Sequence, residues 1–296
     1  MAAAAPRPPA PAGAGSGRGL SVKAIARLLG AAGLTVTLAT GLLLAWQRRL
    51  LYFPSRTTEA AALAEAGRAG LEPWRDRAGA LLGWRARGSG ARAIALVLHG
   101  NAGSALDRAR YARALLPLGV EVVLLEYPGY GPRPGAPSLA SLTRAAVEAV
   151  DLLGEEGLPV WLVGESLGSG VAARAAALRG EAVRGILLVT PFADLATVAH
   201  HHFPFIPRFL LRDRFTPARD LAGFRRPAMV IVAGRDEVVT AAEGRRLFAA
   251  LPGPRRLLEQ AEATHNGLDL SPGAALWAEA VRFLAEESAG ATFKER

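Results

Sequence analysis

The distribution of apolar residues divides the chain into three stretches. Residues 1–19 are dominated by Ala, Pro and Gly without apolar periodicity, and they read as a disordered tail. From Leu28 to Trp46 the sequence LLGAAGLTVTLATGLLLAW then runs 19 residues without a charge. At 1.5 Å per residue such a helix is about 28 Å long, close to a hydrocarbon core of roughly 30 Å. Lys23 and Arg27 precede it, and Trp46, Arg48, Arg49 and Tyr52 follow, as interfacial flanks would. A cleaved signal peptide is the competing reading. The run exceeds a usual signal core and no convincing small-x-small cleavage site follows it, so an uncleaved single-pass membrane anchor at Leu28–Trp46 is expected, with its flanks over residues 20–49. Basic flanks are balanced on the two sides; Arg7 and the amino terminus tip the larger domain toward the extracytoplasmic face.

Beyond the anchor, short β-rich runs alternate with segments of helical period, the pattern of an α/β fold with a mostly parallel central sheet and helices on both faces. Strands are expected at Leu81–Ala86, Ala93–Leu98, Val120–Glu126, Val160–Val163, Gly185–Thr190, Ala228–Ala233 and Arg256–Glu259. Helices are expected at Ser104–Leu115, Leu139–Leu153, Leu167–Leu178, Ala241–Ala250 and Gly273–Glu287. One domain over residues 50–288 accounts for these, with a C-terminal tail at 289–296. The connection from Pro191 to Pro227 is too long for a simple loop and predicts a lid over about 192–226.

Composition changes this picture at two points. The net charge of +9 invites a nucleic-acid reading, but six basic residues and no acid precede residue 50. From there on, 29 basic residues meet 26 acidic ones, an ordinary surface, and no nucleic-acid partner is expected. The absence of cysteine excludes disulfides, thiol nucleophiles and thiolate metal sites, which leaves serine as the nucleophile to look for.

Gly164-Glu165-Ser166-Leu167-Gly168 follows the apolar strand PVWLVG and precedes a helical segment. G-x-S-x-G at a strand-to-helix turn is the nucleophile elbow of alpha/beta-hydrolases, where Gly164 and Gly168 leave room for a strained Ser166. A serine nucleophile needs a base and an orienting carboxylate. His265 lies between the last strand and the last helix. Asp236 follows the strand MVIVAG, with Glu237 as the alternative acid. The order Ser166, Asp236, His265 is the one this fold requires. Backbone N–H groups of Leu167 and Asn101 are the expected oxyanion donors, with His99 a structural support of that loop and Tyr127 to Gly131 a turn with packing aromatics that walls the site. His200, His201 and His202 are adjacent on a helix and cannot converge on one ion, so neither metal nor cofactor is expected. Phe203, Phe205 and Phe209, interleaved with arginines, give the lid an apolar surface that either packs onto the domain or meets lipid.

YFPSR (Tyr52–Arg56), LHGNAG, EYPGYG, GESLGSG, TPF, GRDE and THN together resemble the membrane-anchored, single-pass branch of alpha/beta-hydrolase domain-containing serine hydrolases, from about Leu51 to Phe283. That branch includes lysophospholipases and protein depalmitoylases. The resemblance implies Ser166, Asp236 and His265 as catalytic residues, and a lipid-like or acylated small-molecule substrate cleaved at an ester or thioester. Pro132-Arg133-Pro134 departs from the family, which usually places a Ser two residues after GYG. A peptide hydrolase of the same fold is the alternative, but it calls for an acidic pocket and the lid is basic. A catalytically silent, membrane-anchored binding module would not be expected to retain all three residues.

Overall fold

A computed structural model describes residues 21–294, except for the side chains of residues 24, 39 and 288–294. The tail expected over residues 1–19 lies outside the described residues. Helix α1, Val22–Leu51, contains the uncharged run and extends it at both ends. Its Ile25–Leu51 portion is long and apolar enough to cross a membrane.

Residues Trp46 to Arg296 form a unit of their own. Along the chain come β1 (Phe53–Pro54), α2 (Glu59–Arg68), β2 (Glu72–Arg75), β3 (Leu81–Ala86), β4 (Ala93–Leu98), β5 (Ala102–Gly103), α3 (Ala109–Leu115) and β6 (Val120–Leu125). Then follow α4 (Leu139–Gly154), β7 (Val160–Glu165), α5 (Leu167–Leu178), β8 (Val183–Val189), α6 (Leu195–His202) and α7 (Pro217–Asp220). The chain ends with β9 (Ala228–Ala233), α8 (Ala241–Ala250), β10 (Arg255–Gln260) and α9 (Ala275–Lys294). Eight strands form one sheet in the order β10-β9-β8-β7-β4-β6-β3-β2, and β1 pairs with β5 separately. Only β2 with β3 and β3 with β6 are antiparallel in the large sheet; its other pairs are parallel.

The period-2 alternation of β4 shows why two layers of helix are needed. Ile94, Leu96 and Leu98 face a core shared with α4, α5 and α8, while Ala93, Ala95 and Val97 face one shared with α2, α3 and α9. Each large side chain buried this way contributes about 1.5–3 kcal/mol. After β4 the chain crosses to β6 on one side, then returns through α4 to β7 on the other. The crevice where such a sheet changes direction, at the carboxyl ends of β4 and β7, is where ligands bind in this architecture.

The short strands β1, β2 and β5 and helix α2 are not expected from the sequence, and three expected segments differ in form. The helix expected over Ser104–Leu115 is split, with a 3₁₀ turn at Ala105–Arg108 preceding α3, because Asp107 folds back to accept from the backbone N–H of Ser104. The final helix passes its expected end at Glu287 and runs to Lys294, into the stretch expected as a tail. Between β8 and β9 the long connection carries two helices of its own, α6 and α7.

Candidate active site

Ser166 sits in the one-residue turn between β7 and α5 with φ 51° and ψ −115°, a conformation costly for any residue with a Cβ. Two glycines make it possible. A Cβ at Gly164 would come within 2.7 Å of the Gly168 carbonyl oxygen, and one at Gly168 would run into the carbonyl oxygen of Leu98. The first turn of α5 then lies directly behind Ser166, where its N-terminal dipole favours negative charge.

Asp236 lies in the loop after β9 and His265 in the loop after β10. His265 Nε2 is 3.1 Å from Ser166 Oγ, and His265 Nδ1 is 2.7 Å from Asp236 Oδ2. The other oxygen, Oδ1, accepts from the backbone N–H groups of Val238 and Val239 at 2.9 and 2.7 Å. A carboxylate only accepts, so Nδ1 is the protonated nitrogen and the Nε2 lone pair is left for the serine hydroxyl. Asp236 is buried, whereas Glu237 is exposed, and it is Asp236 that meets the imidazole.

The loop after β4 lies across the crevice. Leu98 pairs with Gly164 in the sheet, and a Cβ on Gly100 would stand 3.6 Å from Ser166 Cβ, so the loop carrying Asn101 is brought beside Ser166. His99 is fully buried, with its ring centroid 4.0 Å from that of Tyr127 and 4.9 Å from that of Tyr130. Its Nδ1 is 2.8 Å from the Gly100 carbonyl oxygen and must be the donor, because a carbonyl has no hydrogen to give. Burial, together with the charge of Arg108, lowers its pKa to about 3, so the ring is neutral. The Gly100 carbonyl shares a peptide plane with the Asn101 N–H, and this bond therefore sets the direction of that N–H. Tyr127 and Tyr130 are packing aromatics, as expected of this turn, but they do not line the cavity beside His265. Both are buried behind the loop and donate hydroxyls to the carbonyls of His99 and Asn101, at 3.1 and 2.7 Å.

The sequence reading overlooked two carboxylates. Glu165, next to Ser166, takes Arg108 on Oε1 at 2.8 Å, and Arg110 and the Tyr111 hydroxyl on Oε2. Burial alone would raise its pKa; the charges of Arg108 and Arg110 outweigh burial and hold it below the ordinary carboxylate value. Glu126 is fully buried and accepts from the Ala105 N–H at 3.1 Å. Burial raises its pKa to about 7 against the weaker opposing pull of that bond. The only signal in one dimension was a charge at the end of an apolar strand, which must find a partner when buried. A cavity of about 480 Å³ opens beside His265, with Arg108, Glu165, Thr190 and Asp269 in its lining.

In the connection expected as a lid, Phe203, Phe205 and Phe209 are 56, 96 and 71% exposed, so they do not pack onto the domain. His202 Nε2 bonds the Val238 carbonyl at 2.8 Å, and His201 stacks edge-on against His202. Among the described residues no group of three or more His, Cys, Asp or Glu is placed to hold a metal ion.

Comparison with known proteins places this geometry. Residues 95–291 match the model of an alpha/beta hydrolase family. The uncharacterized protein Rv2307c of Mycobacterium tuberculosis is 36% identical over 275 residues, covering 88% of this chain and 96% of that protein. Lysophosphatidylserine lipase ABHD12 of Macaca fascicularis is 29% identical over 180 residues, which is 53% of this chain and 45% of the lipase. In fold, an esterase of Pyrococcus furiosus superposes with a TM-score of 0.60 at 16% identity, covering 80% of this chain and 98% of the esterase. This chain belongs to the alpha/beta hydrolase family.

Proposed function

We propose that the chain is a membrane-anchored serine hydrolase that cleaves an acyl ester or thioester of a lipid-like or acylated substrate through an acyl-enzyme. The observation that carries this is the pair of contacts at His265, 3.1 Å to Ser166 Oγ and 2.7 Å to Asp236 Oδ2. His265 Nε2 takes the Ser166 proton as Oγ attacks the carbonyl carbon, and Asp236 stabilises the imidazolium that forms. The N–H groups of Asn101 and Leu167 hold the oxyanion, each such donor being worth about 2.7–4 kcal/mol. The imidazolium proton passes to the leaving group. Water, deprotonated by the same imidazole, then releases the acid and restores Ser166. None of these steps draws on a cofactor.

Helix α1 supports the anchor, with Leu28–Trp46 as the spanning segment inside an anchor and flanks over residues 20–49, residues 50–288 as the hydrolase domain outside the cytoplasm, and about 192–226 as its lid. The similarity to a lysophosphatidylserine lipase favours lipid-like acyl substrates.

Labelling of membranes carrying the full chain with a fluorophosphonate probe tests the reading. Wild type labels, and Ser166→Ala does not, with hydrolysis of p-nitrophenyl esters falling about 10⁴-fold or more. Equal labelling of both proteins overturns it.

A further inference from the structure

The motif YFPSR has no part in the proton transfers above, yet its residues reach both sides of the site. Backbone groups on one side hold the oxyanion loop. The Phe53 N–H donates to the Asn101 carbonyl at 2.8 Å, and the Ser55 N–H donates to the Gly103 carbonyl at 2.8 Å. Asn101 answers with its side chain, whose Nδ2 donates to the Leu51 carbonyl at 3.1 Å. Asn101 is thus gripped at its carbonyl and its amide by residues on either side of Tyr52, and the short β1–β5 pairing continues the grip to Gly103.

The side chains of the same stretch hold the foot of the lid. Tyr52 Oη donates to Asp213 Oδ2 at 3.1 Å. Arg48 donates through Nε to Oδ2 at 2.9 Å and through Nη2 to Oδ1 at 3.2 Å. Gln47 closes a two-way bond with the lid backbone, its Nε2 donating to the Leu210 carbonyl at 3.2 Å and its Oε1 accepting from the Arg212 N–H at 2.7 Å. Burial and the nearby Asp213 carboxylate push the Tyr52 hydroxyl far above its ordinary pKa, so it remains a donor at any working pH. Asp213 is 4% exposed and is followed by Phe215, which is fully buried and packs on α5, where a Cβ on Gly170 would come within 2.8 Å of it. The lid therefore has a fixed foot at Asp213–Phe215 and an exposed tip at Phe203–Phe209.

We propose that residues Gln47–Ser55 are a strut that holds the oxyanion loop and the lid in one register, with Tyr52, Asp213 and the Asn101 side chain as positioning residues. This rests on the reading of the Asn101 N–H as an oxyanion donor. Consecutive residues carry the two connections, since Tyr52 reaches Asp213 through its hydroxyl and Phe53 reaches Asn101 through its N–H. Releasing the Tyr52 ring from the lid lets the Phe53 N–H shift, and with it the peptide that Asn101 presents to the substrate. An oxyanion donor acts mainly in the transition state, so its displacement lowers kcat more than it raises KM.

The test is steady-state hydrolysis of p-nitrophenyl esters by the full chain in detergent, comparing Tyr52→Phe, Asn101→Ala and their double variant with wild type and Ser166→Ala. Tyr52→Phe keeps the ring and removes only the bond to Asp213; Asn101→Ala keeps the backbone donor and removes only the bond to Leu51. Each single variant is expected to lose about threefold to tenfold in kcat, with KM within twofold. Because both act through one loop, the double variant should lose less than the product of the two. Wild-type kcat in both single variants, or a rise in KM alone, overturns the strut while an inactive Ser166→Ala leaves the site reading standing. Full turnover by Ser166→Ala overturns that reading itself.

Discussion

Besides Asp236, two carboxylates flank the crevice, one on each side, and they are handled in opposite ways. On the Ser166 side Glu165, 12% exposed at its side chain, is ringed by Arg108, Arg110 and the Tyr111 hydroxyl and stays ionised. On the loop side Glu126 is fully buried and has no arginine in hydrogen-bond contact with its carboxylate; its pKa rises to about 7. His99 Nε2 stands 3.7 Å from its Oε1 and is neutral. Burial penalises the charged form in both cases, and what separates them is whether an arginine touches the carboxylate. Arg108 and Arg110 do so at Glu165, while Arg133 near Glu126 bonds only its backbone carbonyl. The Ser166 side is therefore held by ion pairs, the loop side by hydrogen bonds and stacked rings.

The largest test of this contrast is Glu165→Gln. The substitution keeps the shape but removes the charge that Arg108 and Arg110 share, leaving Arg108 only Asp107 at 3.7 Å, which for a largely buried network costs about 3 kcal/mol. Glu165 also has an acid-side signature. Its folded pKa is depressed, so its contribution is complete above the ordinary carboxylate value of 4.5 and is lost as pH falls through the lowered one. Thermal unfolding followed by near-UV circular dichroism should show a lower midpoint at pH 7 and a gap to wild type that narrows on acidification. Equal midpoints at every pH would mean that the arginines do not depend on Glu165.

The Ser166 side was largely legible in the sequence because its three residues each sit just past a strand and appear in the order the sheet imposes. The apolar runs placed β7, β9 and β10, and Ser166, Asp236 and His265 follow from their ends. The partners of Glu165 were not legible, since Arg108 and Arg110 lie more than fifty positions away and no periodicity links them. Strand β2 was missed for a different reason. An edge strand needs only one inward residue, here Trp74, and Pro73 beside it reads as a breaker. Helix α2 buries only Ala62 and Ala66, a stripe too small to register as an apolar face. The strut and Asp213 depend on backbone carbonyls and a lid carboxylate, neither of which has a one-dimensional pattern.

Glu126→Gln probes the other carboxylate and is expected to have the reverse sign. With a pKa raised from 4.5 to about 7, Glu126 contributes stability that is complete below about pH 4.5 and is lost as pH rises to about 7. A glutamine has no such dependence, so the variant should gain on wild type by about 1.4 kcal/mol per pH unit between those limits. His99, lowered from 6.5 to about 3, works the other way, its contribution complete above pH 6.5 and lost as pH falls. In wild type the two slopes oppose each other between pH 4.5 and 6.5. In Glu126→Gln only that of His99 remains, and acid sensitivity should become visible there. A constant difference between the two proteins across pH 4.5–7 would show that Glu126 titrates alike in the folded and unfolded chains.

The smallest effect is expected from Tyr127→Phe, which asks whether the neutral bonds behind the loop serve stability or rate. The hydroxyl donates to the His99 carbonyl at 3.1 Å in a fully buried setting, and its loss leaves that carbonyl one partner short, at a cost of about 1–2 kcal/mol. The rate should hardly move. The His99 carbonyl belongs to the peptide joining residues 99 and 100, while the Asn101 N–H belongs to the next peptide, whose direction is set by His99 Nδ1 through the Gly100 carbonyl at 2.8 Å. The phenyl ring left by the substitution would still stack on the His99 ring and keep that bond in place. Turnover within about twofold of wild type beside a lowered unfolding midpoint would separate the two roles. A drop in kcat as large as that expected from Tyr52→Phe would mean that the loop moves as one body and that the bond from His99 does not fix the Asn101 N–H on its own.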